Sequence, residues 1–386
     1  MARALTIAYV TTEDANDKRS WSGIHFHLAE ELRRQGHRLV LIGPLRPQPL
    51  LFLLRAFNQV TLRLLGKRFH YRDSPILSRA YARIIARRLR GTNPDIILAP
   101  AGLAAIAKLK SDVPIIHFND RSIAGAVGYH SILKDPFGWS LRQSLELERE
   151  ALRNAALTVY TSEWAAEGAR KSEASSASRI CVIPMGANLG QVPAPGQRAF
   201  PTEVLKLLLI GVQWENKGGP IAVDVLRELG RRGINAQLIV CGCDVPKEVS
   251  DKNIVREGFL SKSDPRQRAL LQEHLGTADL FILPTRFEAY GIAFCEAAAY
   301  GVPALGSRTG GVPTIVREGE TGFLFDLEES AVAYVDRIEQ LVRDPALWQR
   351  MRTAARKRYE EHFTWEAFVQ RLMSEVEASG LVNSAR

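Results

Sequence analysis

Residues 284–325 read PTRFEAYGIAFCEAAAYGVPALGSRTGGVPTIVREGETGFLF. The run Phe281–Leu283 before this stretch and the run Pro303–Leu305 within it are short and apolar, which is typical of buried strands. Between the two runs a helix begins near Gly291. The stretch therefore predicts a strand–helix–strand unit of a parallel sheet.

Two carboxylates of this stretch are candidate binding groups. Glu296 stands inside the predicted helix among apolar neighbours, where a carboxylate is costly unless it finds hydrogen-bond donors such as ribose hydroxyls. Glu288 precedes the helix and is placed to accept hydrogen bonds from sugar hydroxyls. The free N–H groups at the helix start suit an anion, namely those of Tyr290, Gly291 and Ile292. Taken alone, the pair is explained equally well by one solvated glutamate and one helix cap.

The same alternation of strands and helices extends along the rest of the chain. In the second half, strands are predicted at Leu205–Gly211 and Gln237–Cys241, with a helix over Gly219–Arg232 between them. In the first half, a helix is predicted over Ile24–Gln35. The apolar runs there predict six strands, at Leu5–Val10, Arg38–Ile42, Asp95–Leu98, Pro114–His117, Leu157–Tyr160 and Ile180–Ile183. This pattern predicts an α/β protein with two doubly wound, Rossmann-like domains facing across a cleft, where ligands are expected to bind.

The run QVPAPG at 191–196 is typical of a linker and separates the two halves. We therefore expect an N-terminal domain at 1–190 and a C-terminal domain at 203–364. The remaining residues, 365–386, contain an amphipathic helix that we expect to pack back toward the N-terminal domain.

The composition is that of a soluble globular protein. The chain has 386 residues, 46% of them hydrophobic and 24% charged, which suits two cores. Its four cysteines lack the spacing of a zinc site and indicate free thiols in a reducing compartment. The first residues lack the pattern of a secretory signal, and no apolar run reaches the ~18 residues that span a bilayer. We therefore expect a cytoplasmic protein.

The net charge of +9 comes from one segment, residues 51–90, which holds ten Lys and Arg against the single acid Asp73. An apolar patch, Leu50–Phe57, adjoins it. Within the segment, one face of a predicted helix is apolar and another is basic: Leu77, Ala80, Tyr81, Ile84 and Ile85 against Arg79, Arg83 and Arg87. Such a segment predicts peripheral contact with an anionic membrane surface. A solvated helix whose arginines keep the protein soluble explains the charge as well, whereas no motif for nucleic acid accompanies it.

A second candidate element, Gly211–Gly219, follows a predicted strand and opens a helix. Gly218 and the next glycine let the backbone approach a phosphate, and Lys217 supplies a point charge. A surface lysine beside a glycine turn is the alternative.

Residues 284–325 resemble the E-x7-E signature of the retaining glycosyltransferases of family four, including the Gly-Gly-x-Pro turn at Gly310–Pro313 and the Gly-x-Thr-Gly-Phe-Leu strand that follows. The resemblance implies that Glu288 contacts the donor sugar and that Glu296 contacts the nucleotide ribose. It also implies that Lys217 binds the donor diphosphate. The sequence departs from the family at Val212, where an arginine is usual, and at Thr314, where a glutamate is usual.

The resemblance extends to the first half of the chain. The loop Trp21–His25, which contains Gly23, resembles the family's loop near the diphosphate and acceptor. Asp120 matches the strand-end position that faces the donor sugar, and His117 is its neighbour. A carboxylate there would accept a sugar hydroxyl or stabilise positive charge at the anomeric carbon. From the residues alone, Asp120 is also a plausible cap of the next helix.

The resemblance thus implies a GT-B fold and retaining transfer of a sugar from a nucleotide-diphosphate donor to a glycan or lipid-linked acceptor. It implies no cofactor and no metal, and the chain contains no Asp-x-Asp motif. Two other classes fit the same architecture. A nucleotide-sugar epimerase would form product without an acceptor, and a non-catalytic sugar-nucleotide binder would turn nothing over. Val212 favours the binder.

Overall fold

The computed structural model describes residues 3–129, 136–171, 179–190, 192–194, 199–200 and 203–382. The chain forms two compact units. The first consists of Met1–Pro184 together with Phe368–Arg386, and the second is Met185–Ala367.

The boundary between the units therefore comes before the segment that the sequence suggested as a linker. Residues after Pro184 pack within the second unit, because Ala187 N donates to Phe363 O at 2.8 Å and Trp365 Nε1 donates to Asn188 Oδ1 at 3.0 Å. Of the predicted linker 191–196, only 192–194 lie within the described residues.

The first unit is built on a six-stranded parallel sheet of order β2-β1-β3-β4-β5-β6. Its strands are β1 (Thr6–Val10), β2 (Arg38–Ile42), β3 (Ile96–Pro100), β4 (Ile115–Asn119), β5 (Leu157–Tyr160) and β6 (Arg179–Val182). Its helices are α1 (Ile24–Arg34), α2 (Gln48–Leu65), α3 (Pro75–Leu89), α4 (Leu103–Ile106), α5 (Ile123–Ala126), α6 (Gly138–Asn154) and α7 (Glu163–Arg170). The central strands are continuous apolar runs because helices cover both faces of a parallel sheet.

The second unit repeats this plan with the strand order β12-β11-β10-β7-β8-β9. The strands are β7 (Leu205–Ile210), β8 (Ala236–Cys241), β9 (Ile254–Gly258), β10 (Leu280–Leu283), β11 (Ala304–Ser307) and β12 (Gly322–Phe325). The helices are α8 (Gly219–Arg231), α9 (Pro265–Thr277), α10 (Ile292–Ala299), α11 (Val312–Ile315), α12 (Ala331–Arg343) and α13 (Pro345–His362). Two Rossmann-like α/β units confirm the predicted fold class.

The last helix, α14 (Trp365–Ala378), begins in the second unit and ends in the first. In the first unit the Phe368 ring lies 4.8 Å from the Phe118 ring, and Arg179 pairs with Glu375 at 2.8 Å. Phe368, Leu372 and their apolar neighbours on this helix are fully buried. The buried face of α14 from Phe368 to Val376 is therefore part of the core of the first unit.

Each sheet has a point at which the strand order reverses. In the first sheet the chain passes from β1 to β2 on one side and then to β3 on the other, and in the second sheet β7 lies between β8 and β10 in the same way. Ligands of doubly wound sheets bind beyond the carboxyl ends of the strands at such switch points. The loops after β7 and β10 are therefore where we expect a ligand-binding site in the second unit.

The basic segment folds into two helices with different surroundings. On α3 the apolar face predicted from the sequence is buried in the core, with Leu77, Tyr81 and Ile85 all 5% exposed or less. This face is therefore unavailable to a membrane, which corrects part of the membrane prediction. No helix in the described part of the chain is both long and apolar enough to cross a bilayer.

Candidate functional site

The loops after β7 and β10 are joined by hydrogen bonds at the switch point of the second sheet. Arg286 N donates to Asn216 O at 2.9 Å, and Asn216 Nδ2 donates to Phe287 O at 3.3 Å. The two loops therefore form one surface that positions both a cationic and an anionic side chain.

Lys217 and Glu288 meet on this surface, with Lys217 Nζ 2.5 Å from Glu288 Oε2 and both side chains largely buried. Two glycines make the arrangement possible. A Cβ on Gly211 would approach Lys217 Cγ to 2.6 Å, and a Cβ on Gly218 would lie 2.0 Å from Pro284 O. Gly218 also has a φ of +74°, which L side chains rarely adopt. The predicted diphosphate loop is thus sterically restricted to glycine where it approaches its neighbours.

Helix α10 begins beside this pair without a side-chain cap. Its N-cap residue is Gly291, with a φ of 101°. The first N–H groups of a helix have no intrahelical partner, and the helix dipole gives them a partial positive charge. The side chain of Tyr290, just before the helix, is held in place because its hydroxyl donates to Met185 O at 2.8 Å. The helix start at Ile292 can therefore receive an anion held near Lys217.

The Gly-Gly-x-Pro turn packs on the same loop. Gly311 N donates to Glu288 O at 3.1 Å, and a Cβ on Gly311 would lie 2.5 Å from Ala289 O. Only glycine allows this approach, so the turn fixes the backbone that carries Glu288.

Glu296 is almost fully buried on α10 and forms an ion pair with Lys262. Lys262 lies in the loop between β9 and α9, and its side chain is 38% exposed. Sequence reasoning missed this lysine because its surroundings, Ser-Lys-Ser-Asp, form no recognisable pattern and its partner is distant in the chain. The carboxylate of Glu296, which the sequence analysis assigned to ribose contact, is therefore already neutralised by the partly exposed side chain of Lys262.

In the first unit, the loop that contains Gly23 has unusual backbone geometry. Trp21, Ser22 and Gly23 have φ values of 45°, 57° and 90°, three successive left-handed residues of which two are not glycine. Such conformations cost free energy and cluster at ligand-binding sites. Trp21 N donates to Glu13 Oε2 at 3.2 Å, and helix α1 begins directly after the loop with no side-chain cap.

The structure places His117 and Asp120 differently. His117 lies in the middle of β4 and is fully buried, and burial lowers its pKa to about 4, so its imidazole is neutral at pH 7. Asp120 follows the carboxyl end of β4 and is partly exposed. The N-cap of α5 is Ser122, whose hydroxyl accepts the hydrogen bond from Gly125 N. Of the two, Asp120 is the one that a ligand can reach.

A second buried carboxylate, Glu148, lies in the first unit and was not identified from the sequence. Glu148 on α6 is 1% exposed and accepts hydrogen bonds from Ile123 N at 2.5 Å and Ala124 N at 2.9 Å, at the start of α5. Burial raises the pKa of Glu148 to about 7, although these two backbone bonds oppose the shift.

Among the described residues, no three His, Cys, Asp or Glu side chains converge as a metal-ligand set. The structure thus brings together Lys217, Gly218, Glu288 and the α10 start in the second unit, with Glu296 further along the same helix. Gly23 and Asp120 lie at loops of the first unit that follow β1 and β4.

Two family models match adjoining parts of the chain. The model for glycosyl transferases group 1 matches residues 194–358, and the model for Glycosyltransferase Family 4 matches residues 26–191. A D-inositol 3-phosphate glycosyltransferase of Corynebacterium diphtheriae is 26% identical over 283 residues, which are 68% of this chain and 65% of that protein. The chain spans less than two thirds of the length of the curated relatives it matches.

Solved structures share the fold over nearly the whole chain. The sucrose-phosphate synthase from Thermosynechococcus elongatus has a TM-score of 0.65 at 17% identity, covering 98% of this chain and 100% of that one. The Anabaena protein HepE in complex with UDP-glucose has a TM-score of 0.62 at 15% identity, covering 97% and 100%. By its sequence matches and its architecture, the chain belongs to family four of the glycosyltransferases and has the GT-B fold.

Proposed function

We propose that the chain is a retaining, metal-independent glycosyltransferase that moves a sugar from a nucleotide-diphosphate sugar to an acceptor. The observation that carries the proposal is the Lys217–Glu288 pair, which stands at the switch point of the second sheet beside the uncapped start of α10. A cation, free N–H groups and a carboxylate in one place suit a ligand that has both an anionic diphosphate and sugar hydroxyls.

The donor would bind with its diphosphate against Lys217 and the N–H groups of Gly291 and Ile292. These groups stabilise the negative charge that develops as the diphosphate leaves. Val212 is 66% exposed and supplies no charge where the family usually has arginine. Lys262 is the cation we propose as its substitute near the nucleotide, since it already contacts Glu296. The complex of HepE with UDP-glucose supports a nucleotide-sugar donor for a chain of this fold.

In the proposed reaction, the bond between the anomeric carbon and the diphosphate oxygen breaks, and the acceptor oxygen bonds to the anomeric carbon on the same face. The diphosphate leaves with the bonding electron pair and takes up the proton of the acceptor hydroxyl. Glu288 would accept hydrogen bonds from the donor sugar. Asp120 would stabilise positive charge at the anomeric carbon.

The acceptor is proposed to bind the first unit and to be a lipid-linked or cell-surface glycan precursor, which would place the chain in polysaccharide biosynthesis. A lipid-linked acceptor requires work at a membrane surface, and we propose the cytoplasmic face of the inner membrane. The Corynebacterium relative is named for an inositol phosphate acceptor. Small phosphorylated alcohols are therefore the second class of acceptor to test.

The test is a reaction of the purified chain with labelled nucleotide sugars and a cell lipid extract, read by mass spectrometry and by NMR of the new anomeric centre. Glu288→Gln and Asp120→Asn should slow turnover at least a hundredfold while the melting temperature stays within a few degrees. Glu215→Gln is the matched control, because Glu215 lies exposed on the same loop as Lys217.

Other outcomes would assign the chain differently. A new sugar nucleotide formed without acceptor would identify an epimerase. Donor binding without any turnover would identify a non-catalytic binder, the class that Val212 favours. An inverted anomeric centre in the product would contradict the retaining mechanism but would leave the assignment as a glycosyltransferase intact.

A further inference from the structure

Helix α2 is apolar on two opposite faces. Its inner face packs on the core of the first unit through Leu54, with Leu50 and Leu51 beside it. Its outer face is also apolar, and Phe52 and Leu64 are 71% and 76% exposed there. A large apolar patch left exposed beside a packed face is normally a surface that meets protein or lipid. Among the described residues, nothing encloses the outer face of α2.

The outer residues form one continuous stripe, which we call the α2 stripe. Four positions spaced four apart lie one above the other on a helix, and two apolar neighbours widen the row. The α2 stripe consists of Phe52, Leu53, Ala56, Phe57, Val60 and Leu64, all of them exposed. Isolated exposed apolar residues are ordinary, but a contiguous stripe of this kind marks an interaction surface.

An aromatic cluster extends the stripe at its edge. The Phe57 ring lies 5.4 Å from the ring of buried Phe69, which lies 5.3 Å from the ring of Trp139. Trp139 is 40% exposed. Partly exposed tryptophans with one apolar and one polar end are enriched where proteins meet the membrane interface.

The charges around the stripe have one sign. Helix α2 contains Arg55 and Arg63 and no acidic residue, and Lys67 and Arg68 follow its end. Arg63 is exposed and falls on the same side of the helix as Phe52 and Ala56, and Lys67 is exposed just beyond the end of the helix. The surface therefore combines exposed apolar side chains with positive charge alone.

We propose that the α2 stripe docks on an anionic lipid surface, with α2 lying in the plane of the interface. The apolar side chains would enter the boundary between headgroups and acyl chains, and Arg63 and Lys67 would contact anionic headgroups. A second copy of the chain fits less well, because a symmetric contact of this face with itself would bring like charges together. The inference concerns binding alone and stands apart from the proposed reaction.

Co-sedimentation with vesicles, without donor or acceptor, tests it. The wild-type chain should bind vesicles of phosphatidylcholine mixed with phosphatidylglycerol and should bind little to phosphatidylcholine alone. The double variant Phe52→Ser with Leu64→Ser should bind at least tenfold more weakly. Neutralising Arg63 and Lys67 to glutamine should weaken binding about twenty-five-fold, or fivefold for each charge.

The matched control is Leu327→Ser with Val332→Ser, which removes two exposed apolar side chains from the second unit and should leave vesicle binding unchanged. An unchanged melting temperature shows that each variant is folded. Equal binding to both kinds of vesicle, or binding to neither, would overturn the proposal. So would a double variant at Phe52 and Leu64 that binds normally, or one whose only effect is to dissociate a dimer in sedimentation equilibrium.

Discussion

Glu296 is buried on α10, and Lys262 is the group that compensates its charge. A buried carboxylate that loses its partner is left with an uncompensated desolvation cost. The pair joins the loop after β9 to helix α10. It therefore also holds in place the surface on which we propose that the nucleotide binds. We therefore expect Lys262 to act on stability and, if the proposed donor site is right, on donor binding, and substitution can separate the two effects.

We expect Lys262→Met to lower the free energy of unfolding by about 1–3 kcal/mol, because Glu296 then lacks a donor. Lys262→Met combined with Glu296→Gln should recover most of that loss, since the charge is gone. If Glu296 binds ribose, the double variant should nevertheless bind UDP-glucose or the cognate donor at least tenfold more weakly than the wild type. Denaturant unfolding and titration calorimetry measure the two quantities. If the double variant recovers both stability and donor affinity, Glu296 does not contact the donor.

Glu148 gives the first unit a pH dependence with a definite sign. Its pKa is about 7 in the folded chain, above the ordinary value for a glutamate, because burial disfavours the carboxylate. The folded state thus binds this proton more tightly than the unfolded chain does, so the contribution is favourable at low pH. It should fall as the pH rises from about 4.5 to about 7, by up to about 3 kcal/mol.

Glu148→Gln removes this titration. Relative to the wild type, the variant should therefore gain stability between pH 5 and pH 8, which unfolding curves at the two pH values would show. The histidines His25 and His117, whose pKa values burial lowers to about 4, titrate alike in both proteins and cancel in this comparison. A difference between variant and wild type that does not change with pH would contradict the assignment.

At the residue level, Lys217, Glu288 and Glu296 became candidates because each stands in a local pattern that resembles a family motif. Their roles at a donor site stay predictions, and the structure shows that Lys217 pairs with Glu288 and that Glu296 is buried. Lys262 and Glu148 did not emerge, because what defines them is a partner 34 or 25 residues away. Their roles come from tertiary packing, which local spacing does not encode.

At the level of elements, helix α8 offers a controlled test of the diphosphate loop. Gly218 precedes the helix and Gly233 follows it, with φ values of +74° and +76°. A Cβ on Gly218 would collide with Pro284 O, whereas a Cβ on Gly233 would meet nothing within 4 Å. A change to alanine therefore causes similar backbone strain at both positions, but a steric clash only at Gly218.

Gly233→Ala should cost about 1 kcal/mol through strain alone. Gly218→Ala should cost more, and it should also weaken donor binding by displacing Lys217 from Glu288. Thermal unfolding and calorimetry on the two variants compare them directly. Equal losses of stability with unchanged donor affinity in both would show that the close approach at Gly218 does not shape the site.

Most strands of the fold were predicted, with ends displaced by one or two residues, whereas the helices α6, α9, α12 and α13 were not predicted. Among the strands the exception is β9, at the edge of the second sheet, where only Ile254 is buried and charged residues follow it. An edge strand with one covered side lacks the apolar run on which the prediction depended. The apolar face of α3 was identified correctly, but the sequence did not show that the core covers it.

For the whole molecule, the proposed charge stabilisation by Lys217 and the α10 start has a consequence for metal dependence. Because these groups would neutralise the leaving diphosphate in the proposed reaction, we expect sugar transfer to keep at least about half its rate after dialysis against EDTA. Rates measured with and without added magnesium or manganese check this. Activity that EDTA abolishes and either ion restores would contradict the metal-independent part of the proposal.

The two-domain organisation was evident from the restart of the strand pattern near Leu205. The position of the boundary was not, because the contacts that assign residues 185–188 to the second unit are made with Phe363 and Trp365, far along the chain.

The placement of α14 also bears on how the protein is made. The second unit is one uninterrupted segment, but the first is completed only by residues from Phe368 onward. Translation proceeds at about 5–20 residues per second, so about 10–40 seconds separate the synthesis of the last strand of the first sheet from that of the helix which closes its core. Of the two units, the one that is synthesised first is therefore completed last, and during that interval its unfinished core exposes apolar surface that favours aggregation.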